Sequence, residues 1–583
     1  MVIDFTGKML FPFGTRHLHN TNGMDQGWPG RIIQVGQRTE RVVGASLPET
    51  PTMRSLVLAI STLLLDPGHA QLVEWMVDDD VNYTLNPAMT EHRVAAAPGA
   101  LVTMRMVDVE LVYGDRAYGQ VVLDARDPGT GALELSCLLG DSVAVAAAVV
   151  GNGVAYFAGH FNGDALELCD GTMIQSLGSG FTENRFILAW DLATGAFLWS
   201  RNISADHPDC QDITSLALDE QGRLWYLMRD FSNAQVVRVD GNGVDQVMRT
   251  ISGIRHLGTI SFDPWGGLYV SGSCENGILS FGGQNFPVGS DGGYNMFVLR
   301  YRPDGTAGFA RFTEDVTFQD PTVVATTDGH AYFAGSIFIA TTWGDHTVPA
   351  PNWGSGVFIA RMDSTGAFEW NIGMQQEDGV INGDMDRAEG PCISVDADGN
   401  AYFLGAGRGT AVWGNGVTSG QEVITDRTMT ILAIAPTGMA QWALTSAPTT
   451  WGIEPQGITA LAGDQSIHFV AHTADPFIMG GIEVGTSGVQ AAVLGKVTGI
   501  NTGLLTNAPG RSHHVWPDPA RDHLFVEHDG QVPVLAEMRT SSGQRVRLLR
   551  LQPGLSMIDL NGLAEGLYML RRADGSVDRF VVE

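Results

Sequence analysis

One unit recurs along the chain, and no other feature of the sequence restricts the fold so tightly. Its first half is a turn followed by an aromatic-rich strand: VGNGVAYFAGHF (150–161), LDEQGRLWYLMRDF (218–231), FDPWGGLYVSGS (262–273), TTDGHAYFAGSIF (326–338), VDADGNAYFLGAG (395–407) and LAGDQSIHFVAHT (461–473). Its second half is a strand, a Gly turn and another strand: FILAWDLATGAFLWS, QVVRVDGNGVDQVMR, MFVLRYRPDGTAGFARF, VFIARMDSTGAFEWNI and TILAIAPTGMAQWAL. An earlier GQVVLDARDPGTGALELS (119–136) reads as the same second half, and AVLGKVTGINTGLL (492–505) as a degenerate last one. Runs rich in Val, Phe, Tyr and Ile are strands, and Asp-Gly or Thr-Gly between them supplies the positive φ of tight turns. Four short strands per unit, at a spacing of roughly sixty residues, cannot bury both faces alone, so the units must stack.

Radial stacking of such units gives a β-propeller. Six clear units and a weak one near residues 85–140 imply seven blades over 85–505, with six and eight bounding the count. Composition agrees: 73 glycines and only 17% charged residues suit many short strands and tight turns. The 64 acidic against 34 basic residues leave a net charge of -30, a surface that repels phosphate backbones and excludes nucleic acid as a partner. The five cysteines, Cys137, Cys169, Cys210, Cys274 and Cys392, are odd in number and form no C-x-x-C pair. Core thiols are the expected state, and a single Cys169–Cys210 bridge is the pairing weighed against it.

Two resemblances attach to the repeats. FDPWGGLYVSGS, continuing LSFGGQNFPVGSDGGYNMFVLRYRPDG, resembles the bacterial SBBP-type β-propeller repeat, as does VDADGNAYFLGAG. Thr194-Gly195…Trp199, Thr365-Gly366…Trp370 and Thr437-Gly438…Trp442 resemble the tryptophan-docking motif of quinoprotein dehydrogenases. That resemblance implies Trp199, Trp370 and Trp442 as structural staples between blades. A large indole after a tight turn can lie over the neighbouring blade and bury well over about a hundred square ångströms. A quinone site of that family needs an adjacent Cys-Cys pair, which this chain lacks. Repetition at blade spacing suits a staple rather than a catalytic site.

After a linker at 506–514 the pattern changes. VWPDPARDHLFVE (515–527), SSGQRVRLLRL (541–551) and IDLNGLAEGLYMLRRADGSVDRFVVE (558–583) resemble, in order, the landmarks of type A sorting domains of type IX secretion. Read from its own alternation and turns, 515–583 is a small Ig-like β-sandwich. The resemblance implies the type IX secretion machinery as a partner. It also implies an address, secreted or on the outer cell surface of a Gram-negative, Bacteroidota-like bacterium, by way of the periplasm.

A second address lies near the start. Met53-Arg54, the apolar run LVLAISTLLL (56–65), Pro67 and the small residues Gly68 and Ala70 form a signal peptide over 53–70, with cleavage between Ala70 and Gln71. The run is about half the length that spans a bilayer, so no transmembrane segment is expected. Residues 1–52 show no sustained periodicity. They read as a start-site error or an unstructured segment, against the rival reading of a small domain with a buried helix.

Candidate chemistry is sparse. Asp396-x-Asp398-Gly399-Asn400 reads as a hairpin turn rather than half a calcium loop. The stretch EDGVINGDMDRAEG (377–390) offers calcium the carboxylates Asp384, Asp386 and Glu389, beside Asp378, but a solvated loop is the favoured reading and no cofactor is required. His513-His514 fall in the linker, and no G-x-S-x-G, H-E-x-x-H or P-loop occurs. The expected function is a non-enzymatic secreted or surface propeller for binding or adhesion, its extracellular ligand a protein or a glycan. The alternative is an extracellular hydrolase or lyase with its active site on the top-face loops. A quinoprotein-like oxidoreductase is disfavoured by the missing Cys-Cys. Convergent Asp, Glu, His or Arg around a central funnel would favour the enzyme, and a funnel of Gly, Ala and Thr the binding scaffold.

Overall fold

The computed structural model describes residues 2–3, 9–10, 72–83, 91–113, 116–178, 183–231, 233–315, 320–351, 354–375, 383–421, 424–450, 452–461, 466–498, 515–516, 520–528, 534–540, 545–552, 554–572 and 577–582. The chain divides into two compact units, Met1–Pro67 and Gly68–Glu583. In the first, Val2–Ile3 pairs antiparallel with Met9–Leu10, so a short pairing falls inside the segment read as unstructured. The second is all-β: many small antiparallel sheets, an arrangement consistent with a β-propeller. The signal cleavage pair Ala70 and Gln71, the linker 506–514 and Asp378 lie outside the described residues.

The sheet of Thr322–Ala325, Ala331–Ile337, Gly356–Met362 and Phe368–Gly373 is representative, its strands following chain order. Its two middle strands are buried at every position, which is why they read as continuous apolar runs. Outer strands such as Asp245–Ser252 alternate between exposed and half-buried residues instead. A glycine in the second strand lets the layers close up. A Cβ on Gly272 would stand 2.4 Å from the His256 carbonyl oxygen and 2.7 Å from the Phe297 ring.

First strands of successive sheets lie side by side. His92–Ala97 neighbours Leu133–Gly151, followed by Asp212–Leu218, His256–Phe262, Thr322–Ala325, Ile393–Val395 and Ile453–Leu461, and this last strand neighbours His92–Ala97 again. They run parallel: the Val323 N–H donates to Thr259 Oγ1 at 2.8 Å and, two residues on, the Ala325 N–H donates to Ser261 Oγ at 2.9 Å. All therefore begin at one end, called the mouth here. The hairpin turns lie at the other.

Two joins depart from the repeat. Leu133–Gly151 joins two four-strand groups into one eight-stranded sheet: up to Val143 it pairs with Arg116–Arg126, and from Val143 with Val154–Phe161. Ser142 makes the bend at φ 58°. The other join corrects the expected boundary at residue 85. Leu72–Asp80 pairs with Ala491–Thr498 and completes the sheet of Ile453–Leu461 and Ser466–Thr473. Both edges of Ala491–Thr498 are thus taken, by Ser466–Thr473 and by a strand whose Leu72 lies 426 residues before Thr498, and 499–505 lie outside the described residues.

That closing strand also grips the first sheet. The Trp75 indole N–H donates to Gly129 O at 2.9 Å. Asp79 takes Arg126 at 3.1 Å and Arg105 at 3.5 Å, guanidiniums that also hold the fully buried Asp124.

The structure corrects the expectation of core thiols at two of the five cysteines, and the weighed pairing with it. Cys169 bonds Cys137, not Cys210, with Cα atoms 5.4 Å apart. Cys169 follows the hairpin strand Ala165–Glu167, which packs on the strand carrying Cys137, whereas Cys210 is a free buried thiol beside Asp212.

The C-terminal segment forms two sheets. One holds Val515–Trp516, His523–His528 and Gly554–Asp559, the other Arg545–Leu551, Val534–Thr540, Gly566–Arg572 and Val577–Val582. They share a core that includes Leu524, Met538, Leu570 and Phe580.

Candidate functional site

The three expected staples occupy one structural position, four residues after a turn glycine. Trp199 lies over Gly243 in the next sheet: a Cβ there would be 2.7 Å from the indole, and φ is +79°. Trp370 lies likewise over Gly438 and donates its N–H to Pro436 O at 2.9 Å. Trp442 meets no such glycine. The sheet beyond it takes its last strand from Leu72–Asp80, so no hairpin turn follows its third strand, and the Trp442 indole N–H is buried without an acceptor. Trp75, which sequence reasoning passed over, holds this position on the closing strand and lies over Gly131. Phe309 does so over Gly366. Outside a Thr-Gly-x-x-x-Trp string, Trp75 carried no local signal.

The calcium candidates do not assemble. Asp384 and Asp386 share the strand Asp384–Arg387, but Asp384 Oδ1 accepts the Arg408 N–H at 2.7 Å and Asp386 binds Ser355 and, at 3.3 Å, Arg427. A guanidinium thus stands where a cation would. Glu389 is not drawn in, and among the described residues no group of three His, Cys, Asp or Glu side chains is arranged to hold a metal.

Charge gathers at the mouth. Second strands end there on basic residues, Arg229 and Arg408, or carry one a residue before the end, His160 and His472. First strands begin there on His92, Asp212 and His256, with Asp320 two residues ahead of Thr322–Ala325. The recurring basic residue after an aromatic run was the sequence signal for these groups.

Around Asp212 the groups form a closed network. Its carboxylate takes Arg116 at 2.6 Å and the His160 Nε2 at 3.0 Å, while Arg116 reaches Glu183 at 3.3 Å and Arg185 holds Glu183 at 2.6 Å. Tyr118 donates to Glu183. Burial alone would raise the Asp212 pKa, but Arg116 and the His160 bond outweigh it and hold the carboxyl well below the usual range. Burial, with Arg116, lowers the His160 pKa. A second knot joins Arg427 to Glu454 at 2.6 Å and to Asp386. A third seals the last sheet against the first. His92 Nε2 and His472 Nδ1 stand 3.4 Å apart with rings stacked, and burial pushes the His472 pKa down to about 4.

One acid is not locked in this way. Asp320 lies 3.7 Å from His256, with 49% of its side chain exposed. Burial of its surroundings pushes its pKa up to about 6 against the pull of Arg387 and Arg229, with Asp212 and Glu389 adding to the rise. Its exposure lets water screen part of that shift.

These sheets define a class: an all-β protein, consistent with a β-propeller, with one knot of paired charges at the mouth. No protein-family model and no curated protein matches the chain. Solved structures similar to it include a prolyl endopeptidase from a study of two such enzymes (14% identity, TM-score 0.29, 67% of this chain and 55% of that one). Another is Sqt1 of Saccharomyces cerevisiae (10%, 0.25, 64% and 98%). A third is PorZ, a surface component of the type-IX secretion system of Porphyromonas gingivalis (8%, 0.14, 87% and 100%). The chain spans about half the length of the prolyl endopeptidase it matches. Likenesses this distant carry no argument about its ligand or activity.

Proposed function

We propose that this chain is a secreted or cell-surface propeller of seven blades that binds an extracellular ligand at its charged mouth. The blade count rests on the series of first strands that returns to His92–Ala97. The observation that carries binding over catalysis is the pairing of the mouth's acids and bases with each other: Asp212 and Glu183 with Arg116 and Arg185, Glu454 and Asp386 with Arg427. A general acid or base must be free to reach substrate and to titrate near working pH, and these carboxylates are committed to guanidiniums.

Export is supported from both ends of the second unit. Cleavage between Ala70 and Gln71 would leave a chain that opens on the closing strand Leu72–Asp80, so ring closure survives processing. The C-terminal two-sheet segment has a core of its own, as a separable Ig-like sorting domain requires. The Cys137–Cys169 bridge suits an oxidising compartment.

The alternative, an extracellular hydrolase or lyase, is favoured by Asp320, an acid whose pKa is pushed up to about 6 by burial and which stands 3.7 Å from the His256 imidazole. One experiment separates the two. The mature chain is incubated with immobilised cell-envelope glycans and proteins, while retention and release of new reducing or amino termini are both followed. Retention without release is the expected result. Release that Asp320→Asn abolishes would install the enzyme instead.

A further inference from the structure

Two guanidiniums at the mouth stand apart from the paired networks. Arg229 donates from Nη1 to Arg255 O at 2.7 Å, and Arg387 from Nη1 to Ala388 O at 2.7 Å and to Glu389 O at 3.2 Å. Among the described residues neither is ion-paired, whereas Arg116, Arg185 and Arg427 at the mouth are. In a chain with 64 acidic and 34 basic residues, two unpaired guanidiniums in one place are not what bulk charge would produce. Each keeps planar N–H donors free, the geometry that grips an oxyanion bidentately.

The two belong to one arc. Arg229 ends a second strand and reaches the next first strand through Arg255. His256, one residue on, faces Asp320 across to the following sheet. The Arg387 N–H then donates to Ser336 Oγ, on the second strand of the sheet that Asp320 leads into. Both guanidiniums are near enough to Asp320 for their charges to oppose the rise in its pKa.

We propose that the mouth binds an oxyanion, a carboxylate, sulfate or phosphate group on an extracellular ligand, held by Arg229 and Arg387, with Asp320 as the adjacent acid that weakens binding when ionised. This rests on the mouth being the ligand site and adds the chemistry of what it recognises. The sign of the pH effect follows. Asp320 is ionised and repels the oxyanion at pH 7.5, and a larger fraction of it is neutral at pH 5.5, where it can donate a hydrogen bond. The charges around it are Arg229, Arg387, Asp212 and Glu389, with the His256 ring 3.7 Å away.

Calorimetric titration of the mature chain with sodium glucuronate, inorganic sulfate and inorganic phosphate, with glucose as the uncharged control, tests this and tells the oxyanions apart. At least one oxyanion should bind and glucose should not. Arg229→Gln and Arg387→Gln should each weaken binding about tenfold, or about 1.4 kcal/mol, and the double variant should abolish it. Sulfate, which keeps its charge throughout, should bind more tightly at pH 5.5 than at pH 7.5, and Asp320→Asn should strengthen binding at pH 7.5. Melting curves check the fold, and Arg229→Lys with Arg387→Lys, which keep charge but lose the fork, should show intermediate affinity. Silence from all three oxyanions, or binding within twofold of wild type in the folded double variant, overturns the proposal. Capture of a neutral glycan would then leave the binding function standing without the oxyanion, whereas product release from an anionic substrate would leave the oxyanion site standing and remove the non-enzymatic reading.

Discussion

The two ends of the sheets are built from different materials. At the turn end, Asp and Thr side chains cap the hairpins: the Asp191 carboxylate accepts the Thr194 N–H at 2.7 Å, and Asp363 accepts that of Thr365 at 2.8 Å. A large ring four residues later lies over the next turn's glycine. The caps stay within one hairpin, while the rings join one sheet to its neighbour, as do Arg201 to Asp245 at 2.7 Å and Arg126 to Asp79 at 3.1 Å. At the mouth, long-range charge pairs replace the caps and rings, with Arg116, Asp212, His160 and Glu183 drawn from four different strands or their flanking loops. The difference teaches a division of labour. Stacking is secured where residues repeat, and recognition is built where they do not.

The closing strand should produce the largest effect, because the last sheet and the first both depend on it. Deleting residues 71–81 should abolish cooperative thermal unfolding followed by circular dichroism. A retained sharp transition would mean that closure is not structural. Replacing one staple should cost less. Trp75→Ala and Trp199→Ala should each destabilise by about 3–5 kcal/mol in chemical denaturation, toward the lower figure because both rings are only half-buried. Ligand binding at the mouth should survive in the folded fraction. Loss of binding without loss of stability would break the division between the ends.

Mild acid should act at the mouth through His472. The His472 pKa is depressed to about 4 by burial, so the folded state holds it neutral while the unfolded chain takes a proton below about 6.5. Its contribution is present above pH 6.5 and is lost as pH falls toward 4, at most about 3 kcal/mol. Burial lowers the His92 pKa in the same direction. His472→Gln should flatten the pH dependence of the melting temperature across that window, and an unchanged slope would remove the pair as its source.

The smallest effect sharpens the comparison within the turn end. Trp370→Phe gives up the bond to Pro436 O and should cost about 1 kcal/mol, whereas Trp442→Phe removes a buried N–H with no acceptor and should be neutral or stabilising. Equal losses at the two positions would show that the Trp442 N–H has a partner after all.

Much of the turn end was legible in the residues themselves. Thr194-Gly195…Trp199 and Thr365-Gly366…Trp370 carry a hairpin and a large ring within a few positions, so local chemistry predicts both. The same locality misled at 492–505. A strand followed by a Gly turn suggested a hairpin, but the edge of Ala491–Thr498 is filled by Leu72–Asp80 from the far end of the unit. Trp75 stayed hidden for that reason, since no turn glycine stands four residues before it as Gly195 and Gly366 do before Trp199 and Trp370.

The candidate site was hardly legible. Arg229, His256, Asp320 and Arg387 each look like an ordinary charge at the edge of an apolar run, and the acidic string holding Asp384, Asp386 and Glu389 drew attention precisely because its residues are adjacent. Its carboxylates diverge in space, to Arg408, to Arg427 and to neither. By itself the sequence determined the strands, the turns and the need of each unit for a neighbour, because backbone propensity and side-chain alternation act over a few residues. Only the tertiary structure decided which strand closes the last sheet, which cysteines pair and which charges meet at the mouth. Those depend on parallel first strands bringing residues from separate sheets to one end, and no spacing along the chain encodes that distance.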